Sequence, residues 1–267
     1  MLSLSLMKNS NTNSSTIIFG KHPVMDALKS GKTIDKIVMQ QGFKGPVEIE
    51  IRHLCKERHI PIQQLPKERI ARIVDGNNHQ GMVAFLSLIE YQKLEDILPQ
   101  IYEQSKVPLF LLLDGVTDVR NFGGIARTAE AMGAHAIVIP RKKSAQINSD
   151  AIKASAGALL EIPVCKEASI VAAVEFLQNS GVQVYASDLY AEKGIHHVDF
   201  TVPTAIIIGA EGRGVSPSIL KMVNETFIIP QVGKTDSLNV SVATGIMMYE
   251  VLMQRLDTIS SQTSPNT

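Results

Sequence analysis

Leu109-Phe110-Leu111-Leu112-Leu113-Asp114 is an uninterrupted apolar run closed by a carboxylate. A strand with water on one face alternates apolar and polar residues. A strand with no polar position over this length is buried on both faces, as in a parallel sheet. Downstream, Asn121-Phe122-Gly123-Gly124 opens a short helix over 125–132, and Gly133 follows it as the residue that ends a helix with a left-handed turn. Ala136-Ile137-Val138-Ile139-Pro140 is the next strand. Strand, helix and strand make a βαβ unit, so the sheet is expected to be at least partly parallel. The pattern continues with a helix at 150–155, a strand at 162–165 and a helix at 170–178 ended by Gly181. Strands follow at 182–186, 205–209 and 226–229.

Upstream of this α/β domain, expected over 107–257, residues 92–106 are polar and weakly helical and read as a linker. Residues 16–91 form a second, smaller α/β pattern. Its helices are expected at 23–29, 47–58 and 67–74, and its strands at 34–39 and 81–86. Counted over 16–90, this part holds 11 Lys/Arg against 8 Asp/Glu, a net of +3, and four of the histidines (His22, His53, His59, His79). It is the more basic part and the better candidate to meet a polyanion. Residues 1–15 and 258–267 are rich in Ser, Asn and Thr and are expected to be disordered.

Across the whole chain 26 basic and 26 acidic residues cancel, which argues against an indiscriminate nucleic-acid binder. Cys55 and Cys165 make no disulfide framework and have no metal-ligand spacing, so no metal is expected. Met1-Leu2-Ser3-Leu4-Ser5-Leu6 is too short and too polar for the apolar core of a signal peptide. A cytoplasmic protein with no membrane span is the expectation.

Three loops follow buried strands, and open α/β sheets bind ligands at such carboxyl ends. The first runs from Asp114 to Gly124, the second from Gly209 to Ser216 and the third from Ile229 to Asn239. The second has its glycines in the order G-x-x-G-x-G, the reverse of a dinucleotide fingerprint, and no phosphate-loop lysine pattern occurs. A nucleotide-dependent oxidoreductase is therefore disfavoured. In the first helix Ile125, Ala129 and Met132 share a face, and Arg127 lies roughly 200° from Ile125, free to grip an anion. The third loop ends on Asn239, an N-cap for the helix that begins Val240-Ser241-Val242-Ala243-Thr244-Gly245-Ile246. That helix is apolar on nearly every face and is expected to be buried in the domain or in a subunit interface. Arg255 is placed near its end, where a cation suits the helix dipole.

Together these loops resemble the three motifs of the SpoU (TrmH) branch of the SPOUT RNA methyltransferases. The matching residues are Asn121-x5-Arg127-Thr128-Ala129 and Gly209-Ala210-Glu211-Gly212-x-Gly214-Val215. The third motif is Ile229-Pro230 followed by Ser237-Leu238-Asn239-Val240-Ser241-Val242-Ala243. The resemblance covers about 108–255, and the third motif is highly specific. Phe19-Gly20-Lys21-His22-Pro23-Val24 and His79-Gln80-Gly81-Met82-Val83-Ala84 resemble the small ribosomal-protein-like substrate-binding domain that precedes some members. With Arg141-Lys142-Lys143-Ser144-Ala145-Gln146, this two-domain form most resembles members that methylate a guanosine 2′-hydroxyl in bacterial 23S rRNA.

The resemblance implies a deep trefoil knot, a homodimer using the last helix, and S-adenosylmethionine held bent by backbone groups of Gly209, Ile229 and Leu238. It implies an active-site set of Asn121, Arg127, Glu211, Ser237 and Asn239, with the arginine as general base. A guanidinium is not deprotonated in proteins, so Arg127 reads better as the group that holds RNA phosphate and hydroxyl in place. Asn121 and Asn239 would orient that set and Glu211 would fix a loop or Arg127. Two alternatives stand beside this reading: a tRNA 2′-O-methyltransferase, and a non-catalytic RNA-binding ribosome-assembly factor.

Overall fold

The computed structural model describes residues 17–235 and 237–263, so the expectation for 1–15 lies outside the described residues. The chain divides into two compact units, one running up to Leu88 and including Asn148–Asp150, the other made of Ile89–Ile147 and the residues from Ala151 on.

The first unit comprises β1 (Ile17–Phe19), α1 (Lys21–Lys29), β2 (Ile34–Gln40), α2 (Pro46–Glu57), β3 (Ile62–Leu65), α3 (Lys67–Ile73) and β4 (Met82–Leu86). Its sheet order is β1-β4-β2-β3, antiparallel except for the parallel pair β2–β3. Ile37, Met39, Met82 and Ala84 pack under α1 and α2 with Leu28, Ile51 and Cys55. Val38 and Val83, one residue out of phase, pack on the other face against Ile70 and Val74. Period-two alternation thus feeds two cores from one sheet. Strand β3 was not anticipated: Gln63 and Gln64 are exposed on it, and it forms the sheet edge.

The second unit comprises β5 (Tyr91–Gln92), α4 (Leu94–Glu103), β6 (Leu109–Asp114), α5 (Val119–Ala131), β7 (Ala136–Pro140), α6 (Ser149–Ala154) and β8 (Val164–Glu167). It continues with α7 (Ile170–Asn179), β9 (Gln183–Ser187), β10 (Thr204–Gly209), α8 (Pro217–Leu220), β11 (Glu225–Phe227) and α9 (Val240–Thr263). The seven strands lie in the order β11-β9-β10-β6-β7-β8-β5 and every pairing is parallel. Leu109, Leu111 and Leu113 face α5 and α9, where Phe122, Ile125, Met247 and Val251 complete one core. Phe110 and Leu112 face α4 and α7 on the other side. The continuous apolar run of β6 has helices on both faces, as its sequence requires.

Four expectations need correcting. Residues 92–106 are no linker: Tyr91–Gln92 is the edge strand of the large sheet, and Leu94, Ile97, Leu98 and Ile101 of α4 are buried in its core. Helix α5 begins at Val119, because Asp118 caps it by accepting from the amides of Arg120 (2.9 Å) and Asn121 (2.8 Å). Asn121 therefore sits inside the first turn. The last helix runs to Thr263, so residues 258–263 are helical.

Arg255, fourth, lies mid-helix and makes no dipole contact. Its guanidinium donates to the carbonyls of Phe200 (3.0 Å), Val107 (2.9 Å), Pro108 (3.0 Å) and Val202 (3.2 Å). Burial pushes its pKa down to about 10, still charged at neutral pH. It ties α9 to the segments that enter β6 and β10. Arg255→Met is expected to lower unfolding stability by about 3 kcal/mol, since several carbonyls lose a charged donor at once. Denaturant titration of the full chain measures it, and a loss under about 0.5 kcal/mol, the size of an ordinary surface substitution, contradicts the role.

Candidate active site

Asp114 ends β6 beside Gly209, which ends β10, in parallel register. Both strands then release loops on the same edge of the sheet. Asp114 Oδ2 accepts from the backbone amide of Ser216 at 2.7 Å, pinning the far end of the second loop. Gly209 is needed for packing within that loop: a Cβ there would lie 2.0 Å from the carbonyl carbon of Gly214 and 2.2 Å from the amide nitrogen of Val215. Close approach of its own chain is by itself enough to require glycine at this position. Within the three loops, the glycines with open space before them are Gly212 and Gly214, both at positive φ, and Gly233.

The short folded-back loop presents Glu211 outward, and the three sequence motifs meet on it. Asn121 Nδ2 donates to Glu211 Oε2 at 3.1 Å, and Asn239 Nδ2 donates to Asn121 Oδ1 at 3.1 Å. Asn239 Oδ1 in turn accepts from the amide of Ser241 (3.0 Å) and from its hydroxyl (2.6 Å). Asn239 thereby caps α9, with its own carbonyl accepting from Ala243 at 2.9 Å. The helices α5 and α9 come close enough here that a Cβ on Gly124 would stand 3.0 Å from Ser241 Cβ. This relay of amides is polarised toward one carboxylate, and each donor is fixed by the next.

Residues 108–249, more than half of the chain, match the SpoU rRNA Methylase family model. The chain belongs to the SpoU family. Residues 17–92 match a second model, described as RNA 2′-O ribose methyltransferase substrate binding. A putative TrmH family tRNA/rRNA methyltransferase of Bacillus subtilis is 35% identical over 89% of this chain and 95% of its own. An AdoMet-bound rRNA methyltransferase from Sinorhizobium meliloti superposes with a TM-score of 0.56 at 27% identity, covering 88% of this chain and 85% of that one. The TrmH/SpoU tRNA modifying enzyme of A. aeolicus is 32% identical with a TM-score of 0.53, over 63% of this chain and 87% of that chain. The chain is an RNA methyltransferase of the SpoU/TrmH family, of mixed α/β architecture.

In this SpoU-family fold the expected site residues divide. Asn121, Glu211 and Asn239 are joined by direct hydrogen bonds. Arg127 is exposed farther along α5, facing away from the buried Ile125, Ala126 and Ala129. Ser237 is exposed two residues before Asn239, and neither its side chain nor that of Arg127 has a hydrogen bond or ion pair with another described residue. Ile229 is buried and Leu238 is half-buried, each side chain packed into the core under α9. Two contributors were missed in the sequence. Asp118 is one, and its signal was an Asp just ahead of an apolar helical stretch. Ser241 is the other, a hydroxyl in the first turn of a helix that reads as apolar on nearly every face. Gly209→Ala is expected to lower cofactor affinity at least tenfold, because the β-carbon must displace the backbone of Gly214 and with it Glu211. Calorimetry checks this, and wild-type affinity in the folded variant would separate that loop from the cofactor site.

Proposed function

We propose that this protein transfers the methyl group of S-adenosylmethionine to the ribose 2′-hydroxyl of a guanosine in 23S rRNA. The observation that carries the site is the hydrogen-bonded chain Glu211–Asn121–Asn239, which joins all three motif loops at one edge of the parallel sheet. S-adenosylmethionine is the methyl donor of the family and supplies a methyl activated on a sulfonium. The residues present suit it. Ile229 and Leu238 commit their side chains to the core and leave only backbone for a ligand, and Gly212, Gly214 and Gly233 border open space. In this reading the trefoil knot is formed by the second and third loops.

The protein's part is to align and to move a proton. Reaction needs the ribose oxygen in line with the methyl carbon and sulfur, and holding that geometry supplies much of the acceleration. Arg127 binds the phosphate and hydroxyl of the target nucleotide through its planar fork. The hydroxyl proton passes to that phosphate or to water, since the guanidinium keeps its own. Asn121 and Asn239 hold the loops in register, Glu211 anchors them, and Ser237 flanks the ribose. The active form is a homodimer. Val242, Ile246, Tyr249, Met253 and Leu256 form one apolar stripe along α9 that a single chain leaves exposed, opposite the buried Met247 and Val251.

The choice of ribosomal over transfer RNA is supported by coverage. The rRNA enzyme from Sinorhizobium meliloti aligns with both units, whereas the tRNA enzyme aligns with 63% of this chain. Sequence-specific RNA recognition favours unpaired, splayed bases, so the target lies in a structured loop. Labelled cofactor incubated with separated tRNA, small-subunit and large-subunit rRNA tests the assignment. Label in the large-subunit RNA is expected, and label confined to tRNA overturns it.

A further inference from the structure

We propose that a second anion site, built by Lys142, Lys143 and Arg213, holds a backbone phosphate of the substrate RNA beside the methyl-transfer site. The site is a cleft of about 260 Å³ beyond the carboxyl ends of β6, β7 and β8, closed on one side by the second motif loop. Asn121, Arg127, Glu211, Ser237, Asn239, Gly209, Ile229 and Leu238 all lie outside its lining, and Gly214 of the second loop is the one residue it shares with the proposed cofactor surface. It is nevertheless adjacent, since Ala210 lines the cleft and the next residue, Glu211, bonds Asn121.

Three cations line this cleft, and none of their side chains has an ion pair or hydrogen bond with another described residue. Asp114 is the one carboxylate in the lining, and its Oδ2 is already engaged by the amide of Ser216. The lysines do not sit on a loose loop. Arg141 N donates to Glu167 O at 2.9 Å and Ala145 N to Val116 O at 2.9 Å, and Ala145 and Ile147 are buried beyond them. Between those anchors Lys143 adopts φ 62, a left-handed conformation that costs a non-glycine residue about 1 kcal/mol or more. Unpaired like charges held together by an anchored, strained loop are unfavourable until an anion joins them.

The start of α7 also lines the cleft, through Ser169, Ile170 and Val171. Ser169 caps the helix by accepting from Ala172 N at 3.1 Å. The amides of Ile170 and Val171 are first-turn donors that the helix itself does not use. Main-chain donors and a positive helix end in one cleft with three cations make an environment for a phosphodiester and not for a base or an apolar group. A ribose presented to the adjoining site has a phosphate on either side. Arg127 takes one, and this cleft takes another along the strand.

The inference rests on the RNA reading above, and its test measures binding without turnover so that the two fail separately. Binding of oligouridylate to the full-length protein is measured across a salt series for wild type, Lys142→Gln/Lys143→Gln, Arg213→Gln and, as a charge control, Lys106→Gln. The expected result is at least a tenfold loss of affinity at low salt in the double variant. Its log K against log salt slope should become shallower by about 0.7 for each phosphate no longer neutralised, with the control unchanged. Arg213→Gln shifts in the same direction, and S-adenosylmethionine affinity stays within twofold in all four. A wild-type slope in the double variant overturns the site, and a selective fall in cofactor affinity reassigns the cleft to the cofactor. A wild-type protein that binds no RNA overturns the RNA reading itself.

Discussion

Arg127→Ala is expected to lose about a thousandfold in turnover while S-adenosylmethionine binds within about tenfold of wild type, or ~1.4 kcal/mol. The split follows from placement. Arg127 projects into solvent from α5, on the side away from the core residues Ile125, Ala126 and Ala129. The proposed cofactor positions Gly209, Ile229 and Leu238 belong to other loops. Removing the side chain therefore leaves the core and the Glu211–Asn121–Asn239 relay intact. What is lost is the fork that holds phosphate and hydroxyl in line. Arg127→Lys should recover little, because an ammonium is a point charge and cannot grip two oxygens in fixed geometry. Single-turnover kinetics with cofactor calorimetry separate the effects. Near-wild-type turnover in Arg127→Ala would remove this residue from the mechanism.

The second large effect is on folding and depends on where the chain is cut. Deleting residues 1–88 is expected to leave a folded catalytic unit that binds S-adenosylmethionine and methylates RNA poorly, since the more basic unit is gone. Deleting residues 1–104 removes β5 and α4 as well. Leu94, Ile97, Leu98 and Ile101 are at most 5% exposed, and their loss uncovers Phe110, Leu112 and Val138 on that face of the sheet. At about 1.5–3 kcal/mol for each buried aliphatic side chain, the loss is comparable with the whole stability of a domain. The shorter chain should be insoluble or lack a cooperative thermal transition. A cooperative transition with the same midpoint in both would mean that α4 adds nothing to that core.

That helix shows where reading the sequence stopped. Its apolar positions 94, 97, 98 and 101 have helical spacing, yet the intervening Glu95, Asp96, Pro99, Gln100 and Glu103 made the stretch read as solvated. Only the sheet face waiting for it distinguishes an amphipathic cover from a linker. The parallel strands were legible because burial on both faces leaves one local pattern, a continuous apolar run, and 109–114, 136–140 and 205–209 all carry it. The motif residues were legible as a set, but their bonding was not. That Asn121 contacts both Glu211 and Asn239 depends on residues about a hundred positions apart. Gly209 and Arg255 were read locally, as a ligand turn and a dipole cation. Their partners, Gly214 and four strand-entry carbonyls, belong to the tertiary structure. The uniform apolarity of α9 likewise divides into a buried face and an exposed stripe only once the sheet is placed.

The chemical position of the transferred methyl group tests the central claim most directly. RNA labelled by the protein from methyl-labelled S-adenosylmethionine is hydrolysed to completion in alkali. Alkali cleaves RNA through attack of the 2′-oxygen on the neighbouring phosphate, and a methylated 2′-oxygen cannot attack. Transfer to the ribose predicts that the label is recovered in an alkali-resistant dinucleotide. Label recovered in mononucleotides would place the methyl group on a base and contradict it.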